Sequence, residues 1–275
     1  MNIDFTEIIQ LLAQTFKLNI TQFEETFIMQ ILDKRIKVLN LHNLNEYYTF
    51  LKLNEDEIKV LAQRLNIHHT DFFRSSVIFA HLEQWILPRM LDSKMKKNEL
   101  RIWSAGCASG QEPYSLAMII ENINATRPVK KRYRIIATDI SESILTKAIT
   151  GEFYEKDVQN IRLKDINEYF IKSGDRYKVS DRLKKNISFS QYDLLDNLSA
   201  SPHESIYGGF DLILCSNVLF YYKEECQKSI ILKLVNALDK DGYLVTGEVE
   251  KQTVAQYSGM QSVVSPSPIF KKRGL

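Results

Sequence analysis

The sequence predicts an α/β protein in which an all-helical N-terminal domain precedes a larger domain with a mainly parallel β-sheet covered by helices on both faces. Three observations lead to this class. Up to Phe73 there is no glycine, and apolar residues recur at helical spacing. From Leu100 onwards, short apolar runs alternate with helical segments, as in parallel sheets. The first of these runs ends in a turn that contains Gly106 and Gly110.

The composition is that of an ordinary globular protein with room for two domains. Of the 275 residues, 44% are hydrophobic and 25% are charged. A formal net charge of +2 argues against nucleic-acid binding, which requires a concentrated basic face. No run approaches the ~20 apolar residues of a membrane span, and no secretory signal opens the chain. We therefore expect a cytoplasmic protein without membrane insertion, and we expect a monomer.

The cysteines and histidines indicate neither a disulfide framework nor a metal site. Cys107, Cys215 and Cys226 are an odd number without paired zinc-type spacing, which favours reduced structural thiols. The five histidines show no metal-ligand spacing either. Of these, His68 is a candidate for a cofactor contact, for a surface position or for a capping role.

The helical domain is expected to span residues 1–75, and a connecting helix and linker to span 76–98. One helix of the domain carries Lys34, Arg35 and Lys37 between apolar residues, so the three cations are expected to share an exposed face. That face is either simply solvated or a docking surface for an acidic partner. The sequence leaves both interpretations open.

The sheet domain is expected to span residues 99–275. Its predicted strands are 100–104, 133–138, 210–215 and 243–246. At about 152–190 the alternation of strands and helices breaks. Short segments there, including 187–189, lie among turn residues and predict a small antiparallel β insertion.

The turn after the first strand is the first candidate for a ligand site. Gly106 and Gly110 would let a ligand approach the backbone closely, but their spacing is not the one that holds a pyrophosphate. Glu112 lies near the start of the following helix, where its charge would repel a phosphate and attract an ammonium group. These features favour a cationic ligand without phosphate, such as S-adenosylmethionine.

A second candidate residue, Asp139, ends the next predicted strand. A carboxylate at this position can accept hydrogen bonds from both hydroxyls of a ribose. An aspartate after a strand is also a common helix cap. In combination with the glycine turn and Glu112, the cofactor role is the favoured interpretation.

Four ordered blocks of the sequence resemble one family, the chemotaxis receptor-glutamate O-methyltransferases of the CheR type. TDFFR at 70–74 is similar to the family's T-x-F-F-R. WSAGCASGQEPYS at 103–115 is similar to its W-S-A-G-C-A-T-G-E-E-P-Y-S. The other two blocks are ATDI at 137–140 and NVLFY at 217–221.

The resemblance implies a class I S-adenosylmethionine-dependent methyltransferase, with a Rossmann-like sheet, an N-terminal helical domain and a small antiparallel β insertion. It implies a chemoreceptor-like protein as methyl acceptor and S-adenosylhomocysteine as product. The catalytic candidates are Arg74 and Tyr221, although packing alone would also explain a tyrosine in an apolar block. Cofactor contacts are implied, within or near the matching blocks, for Thr70, Arg74, Gly106, Gly110, Glu112, Asp139, Asp193, Leu194, Ser216 and Asn217.

The sequence departs from the family pattern at three places. Ser216 stands where the family normally has arginine, Asp193 where it usually has asparagine, and Gly247-Glu248-Val249-Glu250 where it commonly has G-H-S-E. A second hypothesis is therefore a weakly active or non-catalytic S-adenosylmethionine-binding signalling module. Methylation of a small acid or of another protein is a third, because fold alone does not specify the acceptor.

Overall fold

The computed structural model describes residues 5–16, 20–65, 70–92, 99–205 and 209–272. The chain forms two compact units. The first comprises Met1–Ile67 together with Phe220–Gln227, and the second comprises His68–Leu219 together with Lys228–Leu275. The first part of this compact unit ends at Ile67, whereas the sequence analysis expects the helical domain to end at residue 75. Segment 220–227 joins the first unit through tertiary contacts, which a linear division of the sequence cannot reveal.

The first unit is helical, as predicted. Ile8, Leu12, Leu32 and Tyr47 are fully buried in its apolar core, at the spacing that places one stripe of each helix inward. Its helices are α1 (Phe5–Phe16), α2 (Glu25–Val38), α3 (Leu44–Leu53) and α4 (Glu55–Leu65).

The expectation that Lys34, Arg35 and Lys37 on α2 are all exposed is wrong for Arg35. Arg35 is only 7% exposed, and its guanidinium donates from Nε to Glu57 Oε1 at 2.8 Å and from Nη2 to Oε2 at 2.7 Å. The Tyr47 hydroxyl donates to the same carboxylate at 2.8 Å. Helical spacing places Arg35 correctly on α2, but the burial follows from its partner on α4. Only Lys34 and Lys37 of the trio are exposed.

The second unit is built on a sheet whose described strands run in the order β6-β2-β1-β7-β8-β10-β9. The first five are parallel, while β10 and β9 are antiparallel additions at one side. The strands are β1 (Glu99–Ala105), β2 (Arg132–Asp139), β6 (Ile187–Gln191), β7 (Phe210–Cys215), β8 (Leu238–Thr246), β9 (Gln261–Ser262) and β10 (Ile269–Lys271).

Continuous apolar runs explain why these strands occupy the middle of the sheet. Every residue of β7 is buried, and β2 is buried from Ile135 to Asp139. Such runs are typical of parallel strands that are covered on both faces. All four predicted strands are confirmed, although β8 begins at Leu238 and is therefore five residues longer at its start than expected.

Helices α7 (Gln111–Ala125), α8 (Glu142–Thr150) and α11 (Glu224–Ala237) lie in the connections between parallel strands, and α12 (Lys251–Ser258) lies between β8 and β9. The expected connecting helix is present as α5 (Ser76–His81), a π-helical turn (Leu82–Ile86) and α6 (Leu87–Asp92). Its apolar residues belong to the core of the second unit, so it is part of that unit and not a spacer. The linker expected at 93–98 lies outside the described residues.

The predicted antiparallel insertion is present but ends earlier than expected. Its strands β3 (Glu152–Tyr154), β4 (Phe170–Ser173) and β5 (Arg176–Val179) pair in the order β3-β5-β4. The short helices α9 (Leu163–Tyr169) and α10 (Asp181–Lys184) accompany it. Segment 187–189, which the sequence assigns to the insertion, instead belongs to strand β6, which pairs parallel to β2. Within the described ranges, none of the helices has both the length and the apolar character needed to cross a membrane.

Candidate functional site

Gly106, Asp139, Ser216 and Asn217 lie where three parallel strands end side by side. Strand β1 has β2 on one side and β7 on the other, so the chain order reverses direction across β1. Ligands of open α/β sheets bind at the carboxyl ends of strands at such a switch point. The loops that follow β1, β2 and β7 therefore form the candidate site.

The turn after β1 has an unusual backbone and is attached to the end of β2. Gly106, Ala108 and Gly110 have positive φ angles of 77°, 47° and 93°. The N–H groups of Gly106 and Cys107 both donate to the Thr138 carbonyl at 2.8 Å. A Cβ atom on Gly106 would lie 2.6 Å from Cγ2 of Val218, so only glycine allows this approach.

The carboxylate of Asp139 accepts from two backbone N–H groups, and its contact with a ribose stays a prediction. Its Oδ2 accepts from the Ala108 N–H at 2.9 Å, and its Oδ1 accepts from the N–H of Ser141, which precedes α8, at 3.0 Å. The carboxylate is 6% exposed. Asp139 therefore fixes the glycine turn and the backbone that enters α8.

Glu112 is held at the start of α7 by two hydroxyl groups. Ser104 at the end of β1 donates to its Oε1 at 2.7 Å, and the Ser216 hydroxyl also donates to this carboxylate. Burial raises the pKa of Glu112 to about 7, helped by the charge of Glu250 and opposed by the two hydroxyls and by Arg74. The ionised carboxylate of Glu112 therefore has too little positive charge nearby to offset the effect of its burial.

Arg74 lies in a loop whose backbone is constrained on both sides of it. Phe73 and Ser75 have φ angles of 53° and 59°, in the left-handed region that non-glycine residues seldom adopt. Phe72 is fully buried, with its ring 4.8 Å from that of Phe153. The Phe73 N–H donates to Ser115 Oγ on α7 at 3.0 Å. The loop thus holds Arg74 in the electrostatic field of Glu112, and Thr70 opens the same loop.

The loop after β7 is organised by a residue that the sequence interpretation did not select. The carboxylate of Glu250 accepts from the N–H of Asn217 at 3.0 Å and from those of Val218 and Leu219 at 2.7 Å each. It also accepts from the Gly247 N–H at 2.7 Å. Asn217 itself has a φ of 62°.

The pair Asp193-Leu194 follows β6, next to the end of β2. The Tyr192 N–H donates to the Asp139 carbonyl at 3.0 Å, which ties this segment to the site. Asp193 Oδ1 accepts from the Leu195 N–H at 2.8 Å, so its carboxylate stabilises its own turn. Leu194 is 6% exposed.

Tyr221 belongs to the first unit, whereas the other candidate residues belong to the second. Its ring lies 4.8 Å from that of Phe27 and 4.2 Å from that of Phe220. Its carbonyl accepts from the Glu24 N–H at 2.9 Å. The structure thus places Tyr221 in aromatic packing, the simpler of the two interpretations, and its catalytic role stays a prediction. His68 lies outside the described residues.

Three contributors to the site were missed: Ser104, Val218 and Glu250. A glycine followed three residues later by glutamate, as in Gly247 and Glu250, is a capping pattern that could have drawn attention to Glu250. Ser104 bonds to Glu112 across the turn between β1 and α7, and Val218 contacts Gly106 from a different loop, so neither contact follows a familiar sequence pattern. Among the described residues, no cluster of three or more His, Cys, Asp or Glu side chains is arranged to hold a metal ion.

The chemistry of the site fits S-adenosylmethionine. The carboxylate of Glu112 would gain from a positively charged ligand, since burial has raised its pKa, and the carboxylate of Asp139 at the end of β2 is of the type that binds ribose hydroxyls. Gly106 and Gly110 keep the backbone open to close approach. A mainly parallel sheet with this site at its switch point defines a class I S-adenosylmethionine-dependent methyltransferase.

Comparison with known proteins identifies the family. The model of the CheR methyltransferase S-adenosylmethionine-binding domain matches residues 68–265. A chemotaxis protein methyltransferase of Borreliella burgdorferi is 32% identical over 255 residues, covering 90% of this chain and 87% of that protein. One from Listeria monocytogenes is 29% identical and covers 90% of both chains. One from Escherichia coli is 27% identical and covers 90% and 83%. The chain belongs to the CheR methyltransferase family, and its cofactor is S-adenosylmethionine.

Proposed function

We propose that this chain acts in the cytoplasm and methylates glutamate side chains of a chemoreceptor-like protein, giving methyl esters and S-adenosylhomocysteine. The observation that carries the proposal is the placement of Arg74 in a constrained loop beside Glu112 of the cofactor site. Support also comes from relatives named chemotaxis protein methyltransferases that align with 90% of the chain. Bound S-adenosylmethionine supplies an electrophilic methyl group on a positively charged sulfur.

The chain's own residues have to bind and orient, and they need not remove a proton. A glutamate side chain has an ordinary pKa of about 4.3, so the acceptor is already ionised at neutral pH. Glu112 and Asp139 would hold the cationic and ribose parts of the cofactor. Thr70, Asp193, Leu194, Ser216 and Asn217 would complete the cofactor contacts that the family resemblance implies.

Arg74 is our candidate for binding the acceptor carboxylate. A guanidinium grips a carboxylate through two parallel hydrogen bonds and keeps its charge when it is partly buried. The left-handed residues on either side of Arg74 restrict the conformations of its backbone. This restriction favours a fixed direction of approach for the acceptor oxygen.

The proposed activity is tested with purified protein, labelled S-adenosylmethionine and membranes that contain receptors from the same cell. Base-labile methyl ester on a receptor is the expected result. Arg74→Lys keeps the charge but loses the planar guanidinium group that forms two parallel hydrogen bonds. The kcat/KM for the acceptor should therefore fall about 10- to 100-fold, which corresponds to the loss of one to two hydrogen bonds to a charged group. Arg134→Lys, on an exposed position of β2, is the matched control. Unchanged kcat/KM in Arg74→Lys would remove Arg74 from this role.

Tyr221 is proposed as a contact to the acceptor through its hydroxyl. Tyr221→Phe keeps the ring that packs against Phe27 and removes only the hydroxyl. We expect kcat to fall about 10- to 100-fold, the equivalent of one hydrogen bond to a charged group, with an unchanged melting temperature. Equal kcat in the variant and the parent protein would leave Tyr221 as a packing residue.

A second candidate function is a cofactor-binding module without methyl transfer. The specific observation in its favour is Ser216, whose hydroxyl donates to Glu112 at the position where the resembling family has a cation. Such a module would bind S-adenosylhomocysteine in a calorimeter and produce no methyl ester with any receptor or cell extract. Labelling of a small acid or another protein in extract would instead identify a different acceptor.

Docking on the acceptor is proposed for the exposed part of α2. Lys34 and Lys37 remain available there, whereas Arg35 is paired with Glu57. Replacing both lysines with glutamine should raise the acceptor KM without altering S-adenosylhomocysteine affinity. The same change at Lys130 and Lys131, in the exposed loop before β2, controls for a general loss of positive charge.

A further inference from the structure

Glu250 lies outside the residues to which the family resemblance assigns contacts, yet it has the densest hydrogen bonding at the site. Its Oε1 accepts from the N–H groups of Val218 and Leu219, and its Oε2 accepts from those of Asn217 and Gly247. All four donor–acceptor distances lie between 2.7 and 3.0 Å. The residue is 2% exposed, so water hardly competes for this carboxylate.

Three of the four donors belong to the loop after β7 and not to Glu250's own turn. Gly247 and Glu250 form the local cap of a short 3₁₀ turn that follows β8. The cap of this 3₁₀ turn needs only the bond between the Gly247 N–H and the Glu250 carboxylate. The bonds from residues 217–219 instead join two loops that are 31 to 33 residues apart in sequence. The carboxylate therefore sets the conformation of the β7 loop.

The loop that Glu250 holds contacts the cofactor turn directly. Cγ2 of Val218 lies so close to Gly106 that an added Cβ would be 2.6 Å away from it. The Ser216 hydroxyl, at the start of the same loop, donates to Glu112. Asn217 keeps its left-handed backbone while its N–H is bonded to Glu250. Movement of this loop would thus disturb both Gly106 and Glu112.

Close approach of the two loops also requires a glycine. A Cβ on Gly247 would lie 2.8 Å from Glu250 Oε2 and 3.0 Å from Asn217 Nδ2. Gly247, Asn217 and Glu250 therefore fit together as one unit. We propose that Glu250 is a positioning residue for methyl transfer, because it holds the loop Ser216 to Leu219 in the conformation that closes one side of the cofactor site.

This inference rests on the cofactor site and not on the identity of the acceptor. It is tested with Glu250→Gln, in which an amide NH₂ replaces one oxygen and faces two N–H donors. Amide hydrogen exchange should accelerate at least about 10-fold at residues 217–219, and the affinity for S-adenosylhomocysteine should fall at least about 10-fold. Asp165→Asn is the matched control, because Asp165 is a fully buried carboxylate bonded to Asn122 and Arg162.

A purely structural role predicts a different pattern. Asp165→Asn should lower the melting temperature and leave both the exchange at 217–219 and the affinity unchanged. Glu250→Asp keeps the charge but is one methylene shorter, so it should release some of the four amides and give an intermediate affinity. If Glu250→Gln fails to fold, the Glu250→Asp variant tests the proposal in its place. Parent-like exchange at 217–219 and parent-like affinity in a folded Glu250 variant would overturn the proposal.

The pH dependence of cofactor binding gives an independent readout. Glu112 is faced by Arg74, Glu250, Ser104, Ser216 and the thiols of Cys107 and Cys215. Removing the charge of Glu250 should lower the pKa of Glu112. The midpoint of S-adenosylmethionine binding against pH should therefore move to lower pH in Glu250→Gln and stay in place in Asp165→Asn. A midpoint that stays in place in both would count against electrostatic coupling of the two carboxylates.

Discussion

Glu112 is the residue at which burial and charge at the site oppose each other most strongly. Burial favours its protonated form, while the hydroxyls of Ser104 and Ser216 and the charge of Arg74 favour the ionised form. The balance places its pKa near 7, where a small change in surroundings alters its charge. A cationic ligand beside it would stabilise the ionised form further, so binding and deprotonation are linked.

Cofactor affinity should consequently depend on pH. In the free protein Glu112 has a pKa of about 7, and a bound cation lowers this pKa, so binding releases a proton below that pH. Affinity for S-adenosylmethionine should rise between about pH 6 and 7 and level off above. Calorimetry in buffers of different ionisation enthalpy measures the proton release. Glu112→Gln should abolish the slope, and a slope that persists in this variant would assign the proton to another group.

Ser216 is a position at which a single substitution is expected to raise the catalytic rate. An arginine at this position would supply a second cation beside Glu112 and the acceptor carboxylate. Truncating one partner of a buried charge pair costs about 2–5 kcal/mol, much of it from the charge left unpaired, so an added pair contributes less than this. Ser216→Arg should raise the acceptor kcat/KM at least about 10-fold, and Ser216→Lys should raise it less because a point charge cannot bind in two places. A lower kcat/KM in Ser216→Arg would show that serine is the better residue here.

At the level of single residues, the sequence is sufficient to select the candidate site residues that lie in a recognisable local pattern. Glu112, Asp139 and Gly106 follow strands within a few residues, and a strand–turn–helix pattern is enough to select them. Glu250 was missed because its partners are 31 to 33 residues away. The exposure of Arg35 was misjudged for the same reason, since its partner Glu57 lies 22 residues further on. Tertiary pairing is the information that a local pattern lacks.

At the level of elements, the site is built from loops under backbone strain between well-packed strands and helices. Phe73, Ser75, Ala108 and Asn217 are non-glycine residues with positive φ, and all four lie in loops of the candidate site. Such residues cost about 1–3 kcal/mol each and persist only where the surroundings determine them. Here buried Phe72 and the carboxylates of Asp139 and Glu250 hold these backbones in their conformations.

The contact between the β1 turn and the β7 loop should respond to substitution as a coupled pair. Gly106→Ala adds a Cβ 2.6 Å from Val218 and places alanine at a φ of 77°, so both the melting temperature and the S-adenosylhomocysteine affinity should fall. Val218→Ala in the same protein should recover part of both, because it removes the clash but not the backbone cost. Strict additivity of the two single variants would show that the loops act independently.

Elements were predictable where they have a strong pattern of their own. The continuous apolar runs of β1, β2 and β7 are sufficient to assign buried parallel strands. Strand β6 reads ISFSQ, with alternating polar residues among turn residues, and this pattern equally suits an antiparallel insertion. Only its pairing with β2, from Ile135 opposite Ile187 onwards, assigns it to the main sheet.

At the level of the whole molecule, each compact unit has an apolar core of its own. The first is filled by helices α1 to α4 and by residues from segment 220–227, and the second by the sheet with its helices and the insertion. Apart from Tyr221, the candidate site residues belong to the second unit. Ligand binding at the site is therefore expected to stabilise that unit against unfolding.

S-adenosylhomocysteine should raise the melting temperature in proportion to the logarithm of its concentration. A ligand at a hundred times its dissociation constant stabilises the folded state by about 2.7 kcal/mol, which corresponds to about 5–10 °C for a domain of this size. Differential scanning calorimetry measures the shift. Gly106→Ala should reduce it, because the turn can no longer approach Val218, whereas Asp165→Asn should begin from a lower temperature and show the full shift. An equal shift in all three proteins would place the ligand somewhere other than the turn after β1.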